Sequence, residues 1–224
     1  MKNLLTLLVA TIFSLQIGLS QWSTGIRIGT AITNTSGNGI IESAIPMEWE
    51  TGLEIGIRTE YKLSGTLSVV SDVQYSRSGF SIDQGMDLNI LGLNIPLEAR
   101  ADFNINYIET PLMLKYTMGD ADLQYYGLGG ITTSYAASGS IQPVARVLLD
   151  INLPSIDIDF SDNYLNRWNV AATIGAGLQK EVGQGKIFGE VVYKYGLSNL
   201  VNTVVDLDLK NKGFSLGIGY AHSF

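Results

Sequence analysis

The charged residues able to carry chemistry in this chain fall at alternate positions. In Trp49–Lys62, Glu50, Glu54, Arg58, Glu60 and Lys62 share one parity with Gly52 and Gly56. Arg27, Asp72, Glu109, Lys115, Glu190 and Lys194 recur in segments of the same rhythm. Paired carboxylates do general acid–base work only where a substrate-accessible cleft receives them. Mixed signs collected on one side of a sheet point elsewhere: to a buried ion-pair network, or to a narrow conduit whose selectivity they set. Glu54, Arg58, Glu109 and Lys194 are the expected centre of such a network. His222 is the sole histidine and cysteine is absent, so a zinc site, thiol catalysis and disulfides have no residues to build them. Gly127-Leu-Gly-Gly130 lies within a strand-like segment and not before a helix, so it reads as strand curvature and not a phosphate cradle. No catalytic constellation, metal or cofactor is expected.

The elements that position these charges are strands, because apolar and polar residues alternate with period two. Trp22–Thr33 sets Trp22, Thr24, Ile26, Ile28, Thr30 and Ile32 against Ser23, Gly25, Arg27, Gly29 and Ala31. Trp49–Lys62 sets Leu53, Ile55 and Ile57 against the charged ladder, and Leu63-Ser-Gly65 turns it into Thr66–Gly79. After a long segment, 80–104, a fourth strand sets Ile108, Leu112, Leu114 and Tyr116 against Tyr107, Glu109, Met113 and Lys115. A fifth spans Asp122–Ala136, where three glycines blur its facing. A sixth runs from Trp168, a seventh follows the Gly183-Gln-Gly185 turn, and the eighth is Phe214–Phe224. Each is near the roughly 9–11 residues that cross a bilayer at a tilt. Connections alternate long and short, and no run after the N-terminus is long enough for a membrane-spanning helix.

The expected fold is therefore all-β: an eight-stranded antiparallel up-and-down transmembrane β-barrel with strand-like extracellular loop extensions, its charges in the lumen. Aromatic residues end the apolar face on both sides, as interfacial girdles do. Trp22, Tyr61, Tyr116 and Tyr220 form one girdle, and Trp49, Trp168, Tyr195 and Phe214 the other. Two segments, Tyr107-Ile-Glu-Thr-Pro-Leu-Met-Leu-Lys-Tyr116 and Tyr125-Tyr-Gly-Leu-Gly-Gly130, together with the terminal strand, resemble the PorT-like family of small bacterial outer-membrane β-barrels. The resemblance implies insertion by the barrel-assembly machinery, with the terminal aromatic strand bearing Tyr220 and Phe224 as the signal. Its motifs specify a barrel and leave its task open.

Residues 1–20 carry Lys2, an apolar core from Leu4 to Leu19, and small Gly18 and Ser20 at the −3 and −1 positions of a cut. They read as a signal peptide, leaving 21–224 as the barrel domain in the outer membrane with periplasmic termini. The formal charge of −7 argues against a nucleic-acid partner. Outer-membrane lipid and the assembly machinery are the expected partners.

The loops add one further signal. Apolar residues are odd-numbered from Leu93 to Ile105 and even-numbered from Ile108 onward. A strand leaving lipid for water should show this flip, because lipid draws apolar residues outward and water drives them inward; a bulge near Asn106–Ile108 would mimic it. Similar alternation in Leu149–Leu153, Ile156–Phe160 and Val205–Leu209 extends the expectation to loops three and four. Asp83, Asp87, Asp150, Asp157, Asp159, Asp162, Asp206 and Asp208 make these loops acidic. The functional alternatives are a plugged barrel with a structural or interaction role, a binding or transport barrel taking a hydrophobic ligand or extracellular partner at the loops, and a soluble barrel of lipocalin type with its faces reversed.

Overall fold

The computed structural model describes residues 21–36, 47–90, 93–120, 122–146, 150–158, 160, 166–199 and 210–224. The signal-peptide reading of 1–20 and the alternation in Val205–Leu209 lie outside them. Ten strands follow in order: β1 (Trp22–Ser36), β2 (Met47–Lys62), β3 (Leu67–Ile90), β4 (Leu93–Asp120), β5 (Leu123–Arg146), β6 (Asp150–Asn152), β7 (Ile156–Asp157), β8 (Trp168–Val182), β9 (Gly185–Gly196) and β10 (Lys210–Ser223). Eight of them, in the cyclic order β1-β2-β3-β4-β5-β8-β9-β10, close an antiparallel barrel through the β1–β10 ladder, Ser23↔Ser223 to Ser36↔Lys210. Closure leaves no open edge in the ring, which hydrocarbon would not tolerate. The short β6 and β7 pair with the far part of β5.

Period-two alternation holds in every wall strand and fixes the facing. Ile26, Ile28, Leu53, Ile55, Ile57, Val73, Ile108, Leu112, Leu114, Ile174, Ile187, Val191, Leu216 and Ile218 are exposed on the outer wall, while Arg27, Glu54, Arg58, Asp72, Glu109 and Lys115 are buried inside. This distribution rules out the reversed, lipocalin-type facing. Hydroxyls on the outer wall satisfy themselves locally: Thr30 Oγ1 donates to the Gly52 carbonyl at 3.1 Å and Thr133 Oγ1 to that of Thr110 at 3.4 Å. A residue without water around it needs such a partner.

At the rim bearing the termini, turns are tight. Val182↔Gly185 closes a hairpin through Gly183 and Gln184, and Gly183 takes φ 62°, the left-handed region this turn demands. Beyond the opposite rim, β3, β4 and β5 run 24, 28 and 24 residues. Residues 80–90 and 93–104 are thus not a loop between strands but their continuation, paired without a shift to Ile90↔Leu93. The expected strand ends of β3, β4 and β5 fell where the environment changes, not where the backbone does.

The bulge is also present, on the other strand. Asn106 pairs with Ser138 and Tyr107 with Ala136, so Ala137 of β5 is the extra residue. Against β3, the β4 register stays constant through this level. The change of apolar parity along β4 therefore reports a change of surroundings. Above the charged lumen the interior becomes apolar: Tyr107, Ala136 and Phe160 form a buried cluster with Ile105 and Ile158 against it.

Candidate functional site: the ionic lumen

Lumen-facing side chains from six strands meet in one network. Arg27 of β1 is its hub: Nε donates to Glu190 Oε1 at 2.8 Å, Nη1 to Glu54 Oε2 at 2.7 Å and Nη2 to Ser215 Oγ at 2.6 Å. Arg58 of β2 grips Asp72 with a two-pronged contact, Nε to Oδ1 and Nη2 to Oδ2, both at 2.8 Å. Its Nη1 reaches Glu190 Oε2 at 2.7 Å. Such planar forks give the strongest charge-assisted bonds. Lys194 of β9 joins Glu54, at 2.8 Å, to Glu109, at 2.5 Å. Gln74 donates to Glu109 Oε2 at 2.8 Å, Ser76 to Glu54 Oε1 at 3.3 Å, and Ser215 also donates to Glu54.

A second group sits nearer the termini. Lys115 donates to Glu60 Oε2 at 2.9 Å and to Gln179 Oε1 at 2.5 Å. Lys186 Nζ meets Glu60 Oε1 at 2.7 Å, an ion-pair contact outside hydrogen-bonding angles. Tyr126 links the two groups: its hydroxyl donates to Glu190 Oε2 at 3.0 Å while Lys115 Nζ lies 4.3 Å from its ring centre. Arg58 likewise stacks on Phe188, 4.5 Å from the ring centre. Arg27, Arg58, Lys115, Lys186 and Lys194 balance Glu54, Glu60, Asp72, Glu109 and Glu190, so the formal charges cancel. Charges this deep are tolerated because each has partners.

Small residues on the neighbouring strands make the room. A Cβ on Gly217 would lie 2.6 Å from the Arg27 guanidinium carbon, and one on Gly177 would strike the Tyr126 ring. The Gly/Ser/Ala-rich faces of β1, β8 and β10 are the sockets for long side chains reaching across. What remains open is slight. A cavity of about 30 Å³ lies between the network and the apolar cap, lined among others by Glu109, Lys194, Tyr107 and Asn169; another of about 10 Å³ lies beside Arg58, Asp72 and Thr132. At roughly 10–15 Å³ per water, these hold a few waters.

The expected lumen residues Arg27, Glu54, Arg58, Glu60, Asp72, Glu109, Lys115, Glu190 and Lys194 all take part. Of the expected centre, Lys194 does join Glu54 to Glu109, but Arg58 pairs with Asp72 and Glu190, and Arg27 holds the middle. Glu50 departs from the expectation. It lies past a register shift between Trp49 and Glu54 and pairs with Arg100 of β4 beyond the lumen. A hydrogen bond to Asp102 at 2.5 Å, with the Asp102 and Glu50 charges, holds the Arg100 pKa above its ordinary value against a smaller cost of burial. Lys186, Tyr126, Phe188, Gln74 and Ser215 were not foreseen as members. Lys186 shares the parity of Glu190 and was legible from it, whereas Tyr126 was hidden by the glycines after it.

The girdle residues Trp22, Trp49, Tyr116, Trp168, Tyr195, Phe214 and Tyr220 are exposed on the outer wall, with Tyr61 half-buried against Trp22 at a ring separation of 4.8 Å. Tyr125, exposed beside Leu178, joins the girdle at the terminal rim. Phe224 is exposed, and His222 packs edge-on to it at 5.2 Å.

A closed barrel with an apolar belt outside, aromatic girdles at both rims and a neutralised ionic interior is an integral β-barrel of the bacterial outer membrane. A family model described as "Outer membrane protein beta-barrel domain" matches residues 14–202, and the chain belongs to that family. Among solved structures it is similar to Neisserial surface protein A, at 13% identity over 90% of this chain and 97% of that one, TM-score 0.43. It is also similar to Ail, the attachment invasion locus protein of Yersinia pestis, at 16% identity over 90% and 99%, TM-score 0.39. The outer membrane protease OmpT of Escherichia coli aligns at 11% identity over 92% and 97%, TM-score 0.38. No curated protein matches the chain.

Proposed function

We propose that this chain is a non-enzymatic outer-membrane barrel with a structural or interaction role: a sealed cylinder that carries a β-rich extension beyond one membrane face. The observation that carries the reading is the mutual neutralisation of the lumen charges, with only small cavities between them. Its carboxylates are spent on arginine and lysine, and the cavities inside the network are too small for a substrate; the larger groove that reaches Glu190, about 950 Å³, lies against the apolar outer wall beside Ile28, Val191, Leu216 and Ile218. The competing reading, a hydrophobic ligand under the cap, is less well supported, because Tyr107, Ala136 and Phe160 already pack that space.

In this reading residues 1–20 direct export, the termini face the periplasm and the extension faces outward. The assembly machinery inserts the barrel by the aromatic strand ending in Tyr220 and Phe224, in keeping with the resemblance to the PorT-like family. Planar-bilayer recording of the refolded protein tests the seal. No unitary steps are expected, and Lys194→Glu or Arg27→Glu should not alter baseline current in a folded barrel. Discrete openings whose ion selectivity follows those substitutions would replace the plug with a pore.

A further inference from the structure

We propose that Arg77, Asn106 and Ser138 form a site on the outer wall, just beyond the loop-side aromatic girdle, that binds the phosphate of a lipid headgroup. The inference rests on the reading that this rim meets a membrane surface.

Arg77 faces outward from β3 and is exposed. Its Nε donates to Asn104 Oδ1 at 3.0 Å, which orients the guanidinium plane and leaves both Nη groups without a protein acceptor among the described residues. Arg27, Arg58 and Arg100 each engage two carboxylates; Arg77 has none within ion-pair distance among the described residues. In a chain of formal charge −7, this is an arginine on the membrane wall whose charge no carboxylate among the described residues neutralises.

Arg77, Asn106 and Ser138 lie in one cross-strand row, Arg77↔Asn106 and Asn106↔Ser138. With strands about 4.8 Å apart, the row spans about 10 Å. The hydrogen bonds along it have a direction. Tyr75 Oη donates to Asn106 Oδ1 at 2.7 Å, and Asn106 Nδ2 donates to Ser138 Oγ at 2.9 Å. The acceptor of Asn106 is thereby occupied and the hydroxyl hydrogen of Ser138 is left to give. What the row still offers to a ligand includes the second amide hydrogen, the hydroxyl hydrogen and the guanidinium fork. A donor-rich row with a positive charge fits an oxyanion, and the planar fork fits phosphate.

Two features place the ligand in a membrane. The next outward row down is Tyr75↔Ile108↔Tyr135, aromatic and apolar, so the donors sit where hydrocarbon gives way to headgroups. The bulge at Ala137 brings Ser138 onto the outer face beside Asn106, and a bulge at a barrel rim is a means of re-aiming a side chain.

The test uses the full barrel in maltoside micelles, whose headgroups carry no phosphate, measuring capture of lipid A with its phosphates against dephosphorylated lipid A. The phosphorylated form should bind on the order of tenfold more tightly. Arg77→Gln should remove the preference, and Arg77→Lys should keep part of it, since lysine supplies charge without the fork. Ser138→Asp, which sets a carboxylate in the row, should also remove it; heat-shifted gel mobility confirms that each variant is folded. Equal capture of the two lipids, an unchanged preference in Arg77→Gln, or full displacement by inorganic phosphate at equal concentration would overturn the proposal. Orientation is read separately by Ser138→Cys and a membrane-impermeant maleimide on whole cells. Labelling only after permeabilisation would reverse the barrel's sidedness while leaving the binding result to stand or fall by itself.

Discussion

Arg27 answers two buried carboxylates from one guanidinium, so its loss leaves Glu54 and Glu190 each short of a partner. Breaking a buried pair from one side costs about 3–5 kcal/mol. Arg27→Leu should lower unfolding stability in urea by about that amount in detergent-folded protein, while Arg27→Leu combined with Glu54→Gln, which returns the lumen charges to balance, should recover a large part of it. No recovery in the double variant would mean that the cost is packing and not uncompensated charge. Tyr126→Phe removes one hydroxyl from Glu190 but keeps the ring under Lys115. A loss of about 1.5–3 kcal/mol, the range for a bond to a charged group, is expected from the same titration. Gly217→Val pushes into the Arg27 guanidinium from the neighbouring strand β10 and should be at least as harmful as Tyr126→Phe, although it adds apolar surface. At this scale strand parity sufficed to send Arg27, Glu54 and Asp72 inward. It could not say which carboxylate each arginine takes, because partner choice depends on strand stagger around a closed ring. Glu50 shows the limit: parity alone placed it in the lumen, and one extra residue on β2 delivers it to Arg100.

The membrane-crossing part of β4 is its even-numbered apolar run from Ile108 to Tyr116, and the rest of its 28 residues continue beyond it. Backbone pairing does not register that boundary; only the identity of the buried residues does. Phe80 and Phe103, paired across β3 and β4 above the network, stack at 4.8 Å with planes 7° apart. A double-mutant cycle on them should give a coupling of about 0.5–1.5 kcal/mol. The outer part of the β3–β4 hairpin is dispensable to the ring. Removing 83–100 and joining Ile82 to Ala101, which already pair, with a two-residue Asn-Gly turn should leave a barrel that still shifts mobility on heating. Loss of that shift would show that the extension takes part in closing the barrel. Period-two alternation revealed these extensions as strand-like, and the parity flip located where lipid ends. Their length was not legible, because a strand that changes surroundings looks in sequence like a strand that stops.

Over the whole molecule, two kinds of surface decide the placement: a belt of exposed aliphatics, and aromatic residues above and below it. Trp22 lies at the terminal rim beside Tyr61, and Trp49 and Trp168 lie at the loop rim, 6.3 Å from Phe214 and 5.0 Å from Tyr135. All three tryptophans are exposed on the outer wall, between 41% and 64%. Indole favours the interface because its ring is apolar and its N–H seeks a polar partner. The chain has these three tryptophans only, so replacing two at a time by phenylalanine leaves a single reporter in each variant. In liposomes with spin-labelled lipids, each reporter should be quenched more by a label near the headgroup than by one at the bilayer centre. Trp22 and Trp168 should resolve as depths on opposite sides of an apolar band about 25 Å tall. Trp49 precedes the irregular step in the β2–β3 ladder and should report the same leaflet as Trp168. Greatest quenching at the bilayer centre for any of the three would move the belt along the strands. The Arg77 row would then leave the headgroup zone with it, because that row is fixed to the wall only one outward step beyond Tyr75.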